Sequence, residues 1–277
     1  MLRAVAACCF GSVVLFTCTL TRAGVFPPQV GQPGSTAIAA GDPRFIEWAS
    51  TVQNLTRGPQ DVAVTNSPPA SFGVASNALG PNDGKVVSLG DGGQITVGFA
   101  QPISNGPGPD FAVFENGFIS GAPLAFLELG FVDVSSDGVN FFRFPSESDT
   151  QTTTQVGSFG LLDASNLNNL AGKYIAGYGT PFDLQDLVNV SPLLDVNNIH
   201  FIRVTDVVGS INPSFGSRDS LGNLINDPFP TNSASSGFDF DAIGAINVVP
   251  EPNGLVLAGL ALACLAEWRR QRRYQRT

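Results

Sequence analysis

The 277-residue sequence predicts an all-β protein, a β-sandwich of short strands with one short N-terminal helix and an apolar segment at each end. Three observations carry that expectation. From Lys85 onward apolar residues recur at every second position, the period of a strand with one buried face. The stretches between are dense in Gly, Pro, Asn and Ser, the residues that turns require. Helical spacing with a capping pair occurs near the start of the chain and is weak after residue 53. Many short strands with turn signals at close intervals imply two packed sheets. No internal repeat of fixed period is present.

Taken in order, Arg3 opens a positive segment, Ala4 to Leu20 is mostly apolar, and Thr21-Arg22-Ala23 offers small residues at −3 and −1. That is the pattern of an export signal helix cut by signal peptidase after Ala23. Cys18 lacks the small residue before it that a lipidated signal needs. Residues 24–40, rich in Pro, Gly, Ala and Ser, predict a leader without structure of its own. Asp42-Pro43 forms an N-cap and N1 pair, and Phe45, Trp48, Ala49 and Val52 follow at helical spacing, predicting a helix over about 43–53. Val87 and Leu89 alternate into Asp91-Gly92-Gly93, and Ile95, Val97 and Phe99 alternate out, which predicts a hairpin. Further strands are predicted at Phe111 to Phe114, Leu127 to Ser135 with its return Phe141 to Phe144, Ile199 to Val208, and Phe238 to Val248. Asp183 is placed to cap a short helix through Leu187.

Cysteine and charge narrow the function classes. Cys8, Cys9 and Cys18 lie in the signal and Cys264 near the C-terminus, so residues 24–249 contain no cysteine. That span has no disulfide framework and no thiolate chemistry. It carries 17 Asp and 4 Glu against 7 Lys and Arg, a net charge of −14. So strong a negative balance opposes nucleic acid binding, which needs a basic footprint. It also opposes attachment to anionic membrane by charge. Asp in excess of Glu suits turns and is a common source of Ca²⁺ ligands.

Catalytic groups are sparse. His200, beside the Phe201-Ile202-Arg203-Val204 strand, is the single histidine, and no Gly-x-Ser-x-Gly elbow occurs. A carboxylate pair could serve a glycosidase, but with 21 acidic residues in the span some pair fits by chance. The expectation is a non-enzymatic protein. Metal binding has a better pattern. Asp239 and Asp241 alternate with Phe238 and Phe240, so the pleat sends both rings to the core and both carboxylates to the other face. Asp110, Glu115, Asn116, Asp206, Asp219 and Asp227 supply further oxygens for a structural Ca²⁺, which would also order the long insert Val208 to Gly237. The alternative is that these carboxylates line a solvated face. For carbohydrate, Tyr174, Tyr178 and Phe182 flank a glycine-rich loop over Ala176 to Thr180, and Phe118 follows Asn116-Gly117. The alternative there is that the rings pack inside.

The C-terminus holds Val249-Pro250-Glu251-Pro252, then the apolar run Gly254 to Ala266, then the arginine-rich end Arg269 to Arg276. As a helix the uninterrupted run is roughly 20 Å long, short of the ~30 Å hydrocarbon core. The basic end stays on the cytoplasmic side and the preceding chain faces out. In order and position this tail resembles the PEP-CTERM sorting signal of Gram-negative bacteria that make exopolysaccharide. The resemblance implies recognition by an exosortase and release to the envelope or matrix. A plain short C-terminal anchor is the alternative.

Two more resemblances bear on the domain. Phe131 to Phe142 looks like the strand–turn–strand signature of discoidin-type, galactose-binding-like jelly rolls. His200 to Val204 and Lys85 to Gly90 resemble their later and earlier strands. The chain departs from that pattern in lacking the terminal cysteine pair and in carrying the Val208 to Gly237 insert. Pro109 to Gly117, Gly177 to Leu184 and Gly237 to Ala242 resemble motifs of a set of bacterial cell-surface proteins, which implies fold and address but no activity. The expected plan is a signal peptide at 1–23, a leader at 24–40, a jelly-roll-like ectodomain at 41–249 and a sorting signal with a short membrane helix at 250–277. The expected role is an adhesive or glycan-binding surface or matrix module. A purely structural envelope protein and a polysaccharide hydrolase are the alternatives.

Overall fold

The computed structural model describes residues 24–121 and 123–250. The signal segment with its Ala23 cleavage site, and the tail with Glu251, Pro252, the apolar run and the arginines, lie outside the described residues. Of the sorting motif, Val249 and Pro250 are described, and Val249 is exposed at the domain's end.

The protein is all-β, with antiparallel pairing throughout. The first half contributes β1 (Ile38–Ala39), β2 (Glu47–Trp48), β3 (Thr51–Thr56), β4 (Val87–Ser88), β5 (Gln94–Ile103), β6 (Phe111–Glu115), β7 (Phe118–Gly121) and β8 (Leu124–Phe126). The second half contributes β9 (Gly130–Ser135), β10 (Phe142–Arg143), β11 (Glu147–Ser148), β12 (Leu167–Asn168), β13 (Tyr178–Phe182), β14 (Ile199–Asp206) and β15 (Asp239–Ala245). One sheet runs β1-β13-β6-β15-β2, with β4 also on β15, and a second runs β10-β9-β14-β5-β3. Short ribbons β7–β8 and β11–β12 stand apart.

Both sheets feed one core. Val87, Phe111, Val113, Phe240 and Ile243 come from the first, and Ile95, Val97, Val132, Val134, Ile202 and Val204 from the second. Phe111 stacks on Phe182 at 5.4 Å, and Phe144 closes on Phe182 at 5.0 Å. Each such ring contributes about 2–3 kcal/mol by leaving water. Ala112, Phe114 and Ala242, at the alternate positions, cover the opposite face of the first sheet with Phe45 and Trp48. A third cluster, including Leu127, Leu129, Phe131, Leu167 and Tyr174, fastens the 160–175 loops outside β9.

The predicted strands at 111–114, 127–135, 199–208 and 238–248 are present, and β10 returns on β9 through the Asp137-Gly138 turn. Asp183 caps a single 3-10 turn at Leu184–Leu187, its carboxylate accepting from Gln185 N. Two further 3-10 turns, Ala75–Ala78 and Ala164–Asn166, went unforeseen.

Three expectations are corrected. First, no helix occupies 43–53; β2 pairs with β15, and β3 pairs with β5 in the other sheet. The register shifts between Val52 and Asn54, so Gln53 is an extra, bulged residue. Phe45 and Trp48 pack outside the first sheet while Ala49 and Val52 face the common core, so the helical spacing joins residues of two different clusters. Second, the segment 85–99 is not a hairpin. β4 pairs with β15, while β5 pairs with β14 and β3, so Asp91-Gly92-Gly93 carries the chain across the core. Strands facing each other across a core show the same alternation as strands side by side. Third, residues 24–40 are not a loose leader. Gly24 N donates to Ser165 Oγ (2.9 Å), Phe26 N to Ser165 O (3.0 Å), and β1 extends the first sheet on β13.

Candidate functional site

The insert from Val208 to Gly237 is ordered by its own polar side chains. Asn226 Nδ2 donates to the carbonyls of Gln151 (2.5 Å) and Thr154 (2.9 Å), and its Oδ1 accepts from Val156 N and Gln155 Nε2. Against the two ends of this insert lie two adjoining cavities.

The larger is an open cleft of about 440 Å³. One wall is aromatic: Phe118 stacks on Phe126 at 5.0 Å and 21°, and Phe126 meets Phe159 at 6.0 Å. Phe118 is 50% exposed and Phe159 81%, an unusual exposure for two phenylalanines that both rest on Phe126. The remaining surface is polar, formed by Asn116, Glu128, Ser158, Asp239 and the Pro230 to Ser235 segment. Asn116 comes into place because β6 ends there, and Asn116 Nδ2 donates to Asp239 Oδ2 at 2.9 Å. Ser88 Oγ bonds the other Asp239 oxygen.

The smaller cavity is about 10 Å³, lined by Asp91, Glu128, Asp206 and Asp227. Asp206 ends β14; its Oδ1 accepts from Phe238 N (2.6 Å) and its Oδ2 from Gly92 N (2.8 Å). Asp227 Oδ2 accepts from Leu129 N at 3.1 Å. Glycines at 209 and 237 make these approaches feasible. A Cβ on Gly209 would stand 1.4 Å from Asp227 Oδ1, and one on Gly237 2.8 Å from Asp206 Oδ1. Glu128 borders both cavities, is 6% exposed, and has no hydrogen-bond partner for its carboxyl among the described residues.

Burial, and then neighbouring carboxylates, push Glu115, Glu128, Asp206 and Asp227 well above the usual carboxylate range. Burial pushes Asp91 up to about 6. Glu115 Oε2 accepts from Gly117 N, while its Oε1 is buried without a partner. Arg57, whose guanidinium donates to the carbonyls of Phe72, Ser88 and Gly73, attracts Asp239.

The eight expected metal ligands therefore separate. Asp206 and Asp227 line the small cavity, and Asn116 and Asp239 the cleft, with Glu115 beside Asp239. The other three are elsewhere. Asp241 accepts from Asn82 Nδ2 (2.7 Å) and Gly84 N (3.1 Å), apart from the partners of Asp239. Phe238 and Phe240 do face the core as expected, but the register shifts between Phe240 and Ala242 and gives Asp241 its own direction. Asp110 takes Gly106 N, Leu184 N and Asn247 Nδ2, pinning three segments, about 16 Å along β6 from Glu115. Asp219 holds the turn at Leu221 and Asn223 and bonds Ser148 N. Among the described residues no three His, Cys, Asp or Glu side chains converge as a ready metal centre.

The expected sugar platform is also redistributed. Tyr174 and Phe182 are buried in two different clusters, and Tyr178 is half-buried at the start of β13. Their predicted loop is largely a strand, which turns alternate residues inward. Phe118 alone of the aromatic candidates reaches the cleft. Sequence reasoning missed Glu128, Asp91, Phe126 and Phe159. Two carried a signal: Glu128 interrupts the apolar run Phe126-Leu127-Glu128-Leu129, and Phe159 stands alone in Gly157-Ser158-Phe159-Gly160. His200 lies on β14 with the Phe201 ring 6.2 Å away.

Among the described residues no helix is long and apolar enough to cross a membrane. No model of a known protein family and no curated protein sequence matches the chain.

Proposed function

We propose that this is an exported cell-surface or matrix protein whose β domain, a jelly-roll-like sandwich, binds glycan in the Phe118–Phe159 cleft. The observation that carries the reading is the pairing of exposed rings with acceptors in one cleft. Sugars present an apolar C–H face and a ring of hydroxyls. Phe118 and Phe159, seated against the buried Phe126, offer flat apolar surface for the first, and Asn116 and Asp239 offer oxygen acceptors for the second. At about 440 Å³ the cleft suits one or two sugar rings. The role is adhesion without turnover. The export signal and the PEP-CTERM-like tail supply the address, with signal peptidase and an exosortase as the processing partners and the membrane as a transient station.

The direct test is co-sedimentation of residues 24–249 with the producing organism's exopolysaccharide. Saturable binding supports the reading, and no binding at any concentration favours a purely structural envelope protein. Sorting is tested separately, by following whether the C-terminal tail is lost when an exosortase is present and kept when Pro250 is replaced by Ala.

A second reading, glycoside hydrolysis, has one observation in its favour. Glu128 and Asp239 border the same cleft, and a carboxyl held protonated by burial is what a general acid requires. Release of reducing ends from the bound polysaccharide, abolished in Glu128→Gln, would establish that reading over simple binding.

A further inference from the structure

We propose that the small cavity between Glu128, Asp206 and Asp227 is a Ca²⁺ site lying beneath the glycan cleft and sharing Glu128 with it. The inference stands on its own observations and does not require that the cleft bind sugar.

Four independent features point to a hard cation. The cavity, about 10 Å³, has room for a single small occupant and is lined by four carboxyls. No Lys, Arg or His is among its lining residues, so among them only backbone amides and oxygen donors face an occupant. Glu128 is buried, borders the cavity and has no hydrogen-bond partner for its carboxyl among the described residues. The wall is thinned where carboxylates press in, since side chains at Gly209 and Gly237 would collide with Asp227 and Asp206.

Bonding capacity remains on three of the lining carboxyls. Asp227 Oδ2 is occupied by Leu129 N, which leaves Oδ1, beside Gly209, free to ligate. Asp91 Oδ2 is occupied by Val62 N, which leaves its Oδ1. Asp206 has one N–H on each oxygen and retains a lone pair on both. Three side chains do not converge on one point among the described residues, so carboxylates alone do not complete the shell. Calcium accepts six to eight oxygens in irregular geometry and fills its shell with backbone carbonyls and water. Magnesium demands a regular octahedron and keeps its waters, which suits this cavity poorly. With only oxygen donors present, a thiolate- or imidazole-seeking metal has no partner here.

Asp91 sits in the crossing between the two sheets, Glu128 leads into β9, Asp206 ends β14, and Asp227 belongs to the insert. An ion there would add to the ties that the β9–β14 pairing and the Asp206 and Asp227 hydrogen bonds already make between these segments.

The test uses the purified protein, stripped with chelator and free of any glycan. Calcium titration by calorimetry, with elemental analysis of the reloaded protein, is expected to give one Ca²⁺ per chain and a higher melting temperature. Glu128→Gln, which loses no hydrogen bond and so should fold normally, is expected to weaken binding at least tenfold. Asp227→Asn, which keeps an acceptor for Leu129 N, is expected to do the same. Absence of bound calcium at millimolar concentration overturns the proposal. So does calcium bound with unchanged affinity in both variants, and so does a larger stabilisation by Mg²⁺ than by Ca²⁺.

Discussion

The main-chain amide of Phe238 donates a 2.6 Å hydrogen bond to Oδ1 of Asp206, which joins the first residue after the long insert to the last residue of β14. Thirty-one residues leave and return through that one contact. The other oxygen of Asp206 holds Gly92 N at 2.8 Å, so a single carboxyl ties the insert, β14 and the crossing between the sheets. Asp206→Ala strands two buried amides and is expected to cost about 2–5 kcal/mol. Urea unfolding measures it, and Asp206→Asn, which keeps one acceptor, is expected to lose about half as much.

Arg57 acts in the same way from the opposite sign. Its guanidinium donates to three carbonyls, those of Phe72, Ser88 and Gly73, at 2.7–2.8 Å. Arg57→Ala is expected to destabilise by about 2–4 kcal/mol. Arg57→Lys is expected to recover little of it, because one ammonium cannot span the fork. Chemical denaturation of both variants checks the order.

Gly209 is required by contact. Asp227 Oδ1 would lie 1.4 Å from an added Cβ, so Gly209→Ala must displace either the glycine's backbone or the carboxyl. A loss of about 2 kcal/mol or more in stability is expected, and the same variant should lose calcium affinity.

Asp241 sets a pH dependence outside both cavities. Burial pushes its carboxyl from 3.8 up to about 6. Between about pH 4 and 6 the folded protein holds a proton that the unfolded chain has released. Stability from this group therefore falls as pH rises through that window and is level above it. Asp241→Asn removes the slope. Relative to the parent, the variant is expected to gain about 1–2 kcal/mol between pH 4 and pH 7, a figure already reduced for solvent screening. Parallel melts at the two pH values read the difference.

Much of the strand pattern is legible because short apolar runs bounded by turn residues are local signals. β6, β9 and β15 are buried at every position and read as such runs, while β14 comes nearer to alternation. Partner choice was not local. Val87 and Leu89 alternate toward the core whether the next strand lies beside them or across from them, so alternation over 85–99 does not distinguish a hairpin from a crossing. The helical spacing of Phe45, Trp48, Ala49 and Val52 hides a chain that passes from the first sheet to the second, with its rings and aliphatics in different clusters. At the site, Asp206, Asp227, Asn116 and Asp239 were flagged by their oxygens and by the strand pattern. Which of them share a cavity depends on contacts between distant segments, such as Asp227 with Leu129, that spacing does not encode. Glu128 and Phe159 were each out of place in their own neighbourhoods, a charge in an apolar run and a ring in a Gly/Ser loop.

Glycan binding in the aromatic cleft is the central claim, and equilibrium binding of the organism's exopolysaccharide to the parent protein and to Phe159→Ala tests it most directly. Phe159 is 81% exposed, so its removal is expected to leave the fold intact while taking away the most exposed ring of the proposed site. The expected result is saturable binding by the parent and at least fivefold weaker binding by the variant, about 1 kcal/mol. No binding by the parent, or equal binding by a folded Phe159→Ala, would contradict the assignment of this cleft.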